Sequence, residues 1–217
     1  MSKLTLSDTL GLANPYLYEP LISETTKAKI DRFGRLVPPT SAILLEKRLA
    51  QTDTEVDVCL KMDKTDRGQA FYSGSYPTFA PDSILYNEPA WQRIQQFSAL
   101  WQQADSPINK YSEHLWLEFD NQELNKNILL PCFFFDLPKG TNQDFTWVTE
   151  LALPTLYGQA VSPKTKTILD NCVASLPQYA YINYVGTMLS RPDSPVRLCI
   201  KSDNRITNRM NQQLISF

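Results

Sequence analysis

Two short runs of strict alternation constrain this chain more than anything else in it. In Glu55-Val56-Asp57-Val58-Cys59-Leu60-Lys61-Met62 the apolar residues Val56, Val58, Leu60 and Met62 fall on even positions, and charges take three of the four odd ones. In His114-Leu115-Trp116-Leu117-Glu118-Phe119-Asp120 the apolar residues Leu115, Leu117 and Phe119 take the odd positions and leave His114, Trp116, Glu118 and Asp120 on the other side. A period of two belongs to a β-strand, because successive side chains point to opposite faces. A strand with one apolar and one polar face needs a sheet with a core on one side only, the habit of antiparallel sheets.

The helices announce themselves differently. Asn87-Glu88-Pro89 joins a cap residue to a first-turn proline, and Trp91, Ile94, Phe97 and Trp101 then recur along one helical face. Ser162-Pro163 repeats the device ahead of Ile168, Leu169, Cys172, Val173 and Leu176. Each of these helices precedes a hairpin: 114–120 pairs with 127–136, and 179–189 with 196–201 across the turn Arg191–Pro195. Pairing Asp120 with Ile128 places Glu118 opposite Leu130, Trp116 opposite Cys132 and His114 opposite Phe134. Shorter helical runs are expected at 24–33 and 42–51, one turn near Glu150, and a last helix after Asp203 carrying Ile206, Met210 and Leu214. The expectation is an α+β fold: a mainly antiparallel sheet of about five strands with helices packed on one side, built from two helix-plus-hairpin units. Residues 1–22, with Pro15 and Pro20, read as an extended N-terminal arm, and 23–217 as a single α+β domain, a size suited to one core.

Several function classes fall away on composition. Seven glycines, of which the closest two (Gly68 and Gly74) are six positions apart, cannot spell a dinucleotide fingerprint or a P-loop. A single histidine, His114, removes H-E-x-x-H and every multi-histidine metal site. Lys and Arg number 21 against 23 Asp and Glu, a net charge of −2 with no run of four basic residues, so no nucleic acid is expected as partner. Cys59, Cys132, Cys172 and Cys199 form no C-x-x-C and are expected to be buried, inert thiols. The first residues show no apolar leader and no stretch nears 18 apolar residues, which predicts a cytoplasmic protein with no membrane partner.

What remains is the polar side of the strand holding the lone histidine. Trp116, a residue more often buried than exposed, shares it with Glu118 and Asp120. Carboxylates in apolar company must find a cation or a donor, or change their acidity, and such groups are candidates for a site. Lys61 on the first strand, Arg197 on the last and Arg191 in the second hairpin turn are the candidate cations, and Tyr72 and Tyr76 of the aromatic loop are candidate contacts. Glu118 and Asp120, about 6.6 Å apart at Cα, can share a hard cation, whereas His114 lies about 13 Å from Glu118 and cannot join them. No metal or other cofactor is expected. The function expected first is a non-catalytic binding protein that holds a small molecule, peptide or partner protein on an aromatic-lined, partly charged sheet face. Two alternatives stand beside it. One is a transferase-like enzyme in which Glu118 and Asp120 serve as acid/base or Mg²⁺ ligands while Arg and Lys grip an anionic group. The other is a subunit of a larger assembly docked through the arm and the last helix.

Overall fold

The computed structural model describes residues 5–17, 22–47, 56–65, 72–73, 87–126, 129–139, 144–191 and 193–202. Six strands form one sheet in which sequence neighbours are also spatial neighbours: β1 (Ala42–Glu46), β2 (Asp57–Asp63), β3 (His114–Phe119), β4 (Cys132–Asp136), β5 (Ala180–Met188) and β6 (Val196–Ser202). Every pairing is antiparallel. Six α-helices are described, α1 (Leu6–Ala13), α2 (Glu24–Gly34), α3 (Pro89–Gln102), α4 (Pro107–Tyr111), α5 (Leu153–Tyr157) and α6 (Pro163–Ala174), and none is long and apolar enough to cross a membrane.

The alternation read from the sequence fixes the two faces. Val58, Leu60 and Met62 of β2, Leu115, Leu117 and Phe119 of β3, and Phe133 and Phe135 of β4 are all buried on the inner face. Helix α3 lies across them. Its Phe97 ring meets Phe133 edge-on at 4.9 Å between centroids and Phe135 at 5.3 Å, a geometry aromatic quadrupoles favour. Trp91 and Trp101 sink into the same core yet keep their polar atoms satisfied, donating from Nε1 to the Leu129 carbonyl (2.6 Å) and the Ser112 carbonyl (2.8 Å). Ser23 and Ser162 cap α2 and α6, accepting from the backbone N–H of Thr26 and Thr165. At α3 the cap position falls to Glu88, which makes no side-chain cap bond, so that start rests on Pro89.

Four expectations are corrected. The stretch 42–51, read as helical, supplies β1: Ile43 opposes Leu60 and Leu45 opposes Val58, and pairing overrides the helix preference of Ala and Leu, adding a sixth strand to the five expected. The stretch read as an extended arm contains α1, whose Leu6 and Leu10, four residues apart, are both buried. Strand β4 pairs with β3 two residues further along than a symmetric hairpin allows, so that Glu118 opposes Cys132 and Trp116 opposes Phe134. A 3₁₀ turn at Glu123–Asn125 takes up chain there, and Leu129 is held in the core under Trp91. An even shift preserves which residues share a face. Finally, Cys172 is exposed, because of the apolar stripe on α6 only Leu169 is buried; Cys59 and Cys132 are buried and Cys199 is intermediate. The turn near Glu150 is a π-type turn, Val148–Ala152, running into α5. The last helix lies outside the described residues.

Candidate functional site

Among the described residues, the helices leave the other face of the sheet to side chains of the strands themselves. Across it run two rows set by the register. One is Lys61, Trp116, Phe134, Gly186 and Arg197, each directly opposite the next on β2 through β6. The second is Leu44, Cys59, Glu118, Cys132 and Met188 on β1 through β5. Cys132, Phe134 and Met188, with Trp116 and Cys199 against them, form a small apolar cluster separate from the main core.

Gly186 sets the level of this floor. A Cβ there would sit 2.2 Å from Cδ1 of Phe134, so the phenyl ring lies directly on bare backbone, the way an aromatic neighbour covers a strand glycine. With the ring flattened, Arg197 extends above it. Its guanidinium carbon stands 5.9 Å from the ring centroid, and its Nη1 reaches Glu118 Oε2 on β3, three strands away, at 3.6 Å. A parallel pair joins Arg191 Nη2 to Asp120 Oδ2 at 3.3 Å. Arg191 is carried by the β5–β6 turn, in which Asp193 and Ser194 adopt positive φ, and the Tyr157 hydroxyl anchors that turn by donating to the Ser194 carbonyl at 2.9 Å.

Between these groups lies an open cavity of about 670 Å³ to which all six strands contribute. Trp116, Phe134 and Tyr184 are its aromatic walls, with Trp116 and Tyr184 edge to face at 6.3 Å. Four carboxylates, Glu46, Asp57, Glu118 and Asp120, share the lining with three basic groups, Lys47, Arg191 and Arg197. Glu118 is sheltered, with 17% of its side chain exposed. Burial raises its pKa above the ordinary glutamate value; Arg197 pulls the other way, and Glu46, Asp120 and Asp57 add to the rise. Burial likewise pushes the thiols of Cys59 and Cys199 up and that of Cys132 up to about 11, so Cys132 stays a neutral thiol at physiological pH. Among the described residues, the buried indole N–H of Trp116 finds no hydrogen-bond partner.

Of the residues singled out in the sequence, Trp116, Glu118, Asp120, Arg191 and Arg197 meet in this cavity. Lys61 shares the face but turns to Asp63 at 2.9 Å, and the same carboxylate lies 2.5 Å from His114 Nδ1, so both side chains are engaged at the far end of the strand. Tyr72 is a correction: it lies in the main core, 1% exposed and stacked on Trp91, where it cannot touch a ligand on the opposite face. Tyr76 lies outside the described residues. Glu118 and Asp120 each face a guanidinium, and among the described residues no three His, Cys, Asp or Glu side chains gather as metal ligands. The sequence reading missed Leu44 and Glu46, hidden in a segment taken for a helix, and Tyr184. A bulge between Ile182 and Tyr184 reverses the parity of β5, sending Ile182 inward and Tyr184 outward. Phe134 was within reach, since it shares parity with Cys132 on a strand apolar on both sides. Comparison with family models, curated proteins and solved structures finds no match to this chain.

Proposed function

We propose that the sheet face opposite the main core is a binding site and that the protein works by holding a small molecule or a short peptide segment against Trp116, Phe134 and Tyr184. The observation that carries this reading is Glu118: a sheltered carboxylate, harder to ionise than an ordinary glutamate, on the wall of a cavity lined with aromatic rings. Removing a carboxylate from water costs free energy that a long contact to a half-exposed arginine does not return, so the arrangement adds little to the fold. Concave, partly apolar sites with a few convergent polar groups are where ligands are held.

A second reading rests on the same residue. A carboxylic acid whose acidity is weakened by burial keeps its proton to higher pH than an ordinary glutamate, so Glu118 would act as general acid or base on whatever the cavity holds. The two readings part at Glu118→Gln: a binding role expects weakened uptake, whereas a catalytic role expects uptake retained and turnover lost.

The test is a fragment library screened by ¹H–¹⁵N spectra of the indole groups, with the Trp116 peak assigned from a Trp116→Phe variant. Binding fragments are expected to move the Trp116 peak while Trp91 and Trp101, hydrogen-bonded in the core, hold still. Hits that leave Trp116 unmoved would refute the proposal.

A further inference from the structure

We infer that the ligand of this groove is a small zwitterion of the amino-acid type, with an ammonium and a carboxylate close together on an apolar body. This rests on the binding reading above and specifies its ligand.

The inference comes from how charge is distributed. Glu46 and Asp57 stand on β1 and β2 and Glu118 on β3, with Lys47 beside Glu46, whereas Arg197 stands on β6 and Arg191 in the turn before it, so carboxylates outnumber cations toward one edge and both guanidiniums gather toward the other. The two ends meet at Glu118 and Arg197. Their contact of 3.6 Å is longer than the 2.7–2.9 Å typical of a charge-assisted hydrogen bond, and nearly half of the Arg197 side chain is exposed. A purely cationic ligand at Glu118 would displace Arg197 and leave a guanidinium without its counter-charge. A purely anionic ligand at Arg197 would strip Glu118 of its cation and leave it facing Glu46, Asp57 and Asp120. A zwitterion inserted between them replaces one loose pair with two short ones, ammonium on Glu118 and carboxylate on Arg197, and leaves the net charge of the groove unchanged. The guanidinium fork matches a carboxylate in two-pronged fashion. The aromatic walls accept both an ammonium, through their ring faces, and an apolar side chain.

The probes are the twenty common amino acids, followed by L-phenylalanine, its amide and its N-acetyl derivative, or the same trio for whichever amino acid binds best. The readout is the Trp116 indole peak at low ionic strength. The free amino acid is expected to bind, and removing either charge is expected to weaken binding at least tenfold. Arg197→Gln should cost the free amino acid tenfold while the amide, which no longer has to displace a guanidinium, binds at least as well as before; Glu118→Gln should do the same with the N-acetyl derivative binding at least as well as before. Unchanged Trp91 and Trp101 peaks in both variants certify the fold. If a capped derivative binds as well as its parent, or if neutral fragments move Trp116 and no amino acid does, the zwitterion is wrong and the binding reading stands. If no probe of any kind moves Trp116, both fall.

Discussion

At Glu118 two effects oppose each other on one carboxyl group: burial with three neighbouring acids favours the protonated form, and Arg197 favours the charged one. Burial is the larger. Because the folded state holds the proton more tightly than the unfolded chain, the contribution of this residue to stability is fully present below the ordinary value of 4.5 and is lost as pH rises through the raised folded value. Glu118→Gln should therefore stabilise the protein at pH 7 by about 0.5–1 kcal/mol, the scale of an ordinary single substitution, and have little effect near pH 4. Urea denaturation at the two pH values checks this; a less stable variant at pH 7 would mean that Arg197 outweighs burial. Gly186 is the other telling position. Gly186→Ala drives a methyl into the Phe134 ring and should cost about 1–3 kcal/mol, as overpacking does. Phe134→Ala in the same chain should recover part of that loss, a coupling that a double-mutant cycle in urea measures directly.

Among the elements, α6 shows how a correct sequence pattern can mislead about packing. Its start is capped as Ser162-Pro163 suggests, and its apolar stripe is genuine, yet Leu169 is buried while Ile168 is 51% exposed. Leu169→Ala should cost about 2 kcal/mol or more, whereas Ile168→Ala should stay within about 0.5 kcal/mol, both read from thermal or chemical unfolding. Periodicity identifies a face; it does not say how much of that face its neighbours cover. The same limit explains β1 and α1. Ala42–Glu46 is a helix former locally and a strand only because β2 offers it a paired edge, and the burial of Leu6 and Leu10 depends on contacts far along the chain. Where alternation was strict, at β2 and β3, strand and face were legible in the sequence, whereas the pairing of β2 with β3 and the register of β3 on β4 were not. The β5 bulge was not, because one extra residue reverses parity without leaving a mark in composition.

For the molecule as a whole, a single meandering sheet divides the labour between its faces. One face buries aromatic and aliphatic side chains under the helices and supplies the stability. The other is released from that duty and can keep a sheltered carboxylate, two extended arginines and bare backbone at Gly186. The cavity draws on every strand from β1 to β6, so its centre is sheltered only when the sheet is complete. Part of the site was readable in advance, because Trp116, Glu118, Asp120 and Arg197 share strand faces that alternation assigns. The remainder depends on register, on a strand mistaken for a helix and on a bulge, all products of tertiary pairing. The account stands on the shelter of Glu118, and the most direct measurement is a ¹³C-detected titration of its side-chain carboxyl, assigned by comparison with Glu118→Gln. A midpoint above 4.5 that falls when Asp120→Asn removes a neighbouring charge is the expected result; a midpoint at or below 4.5 would contradict it.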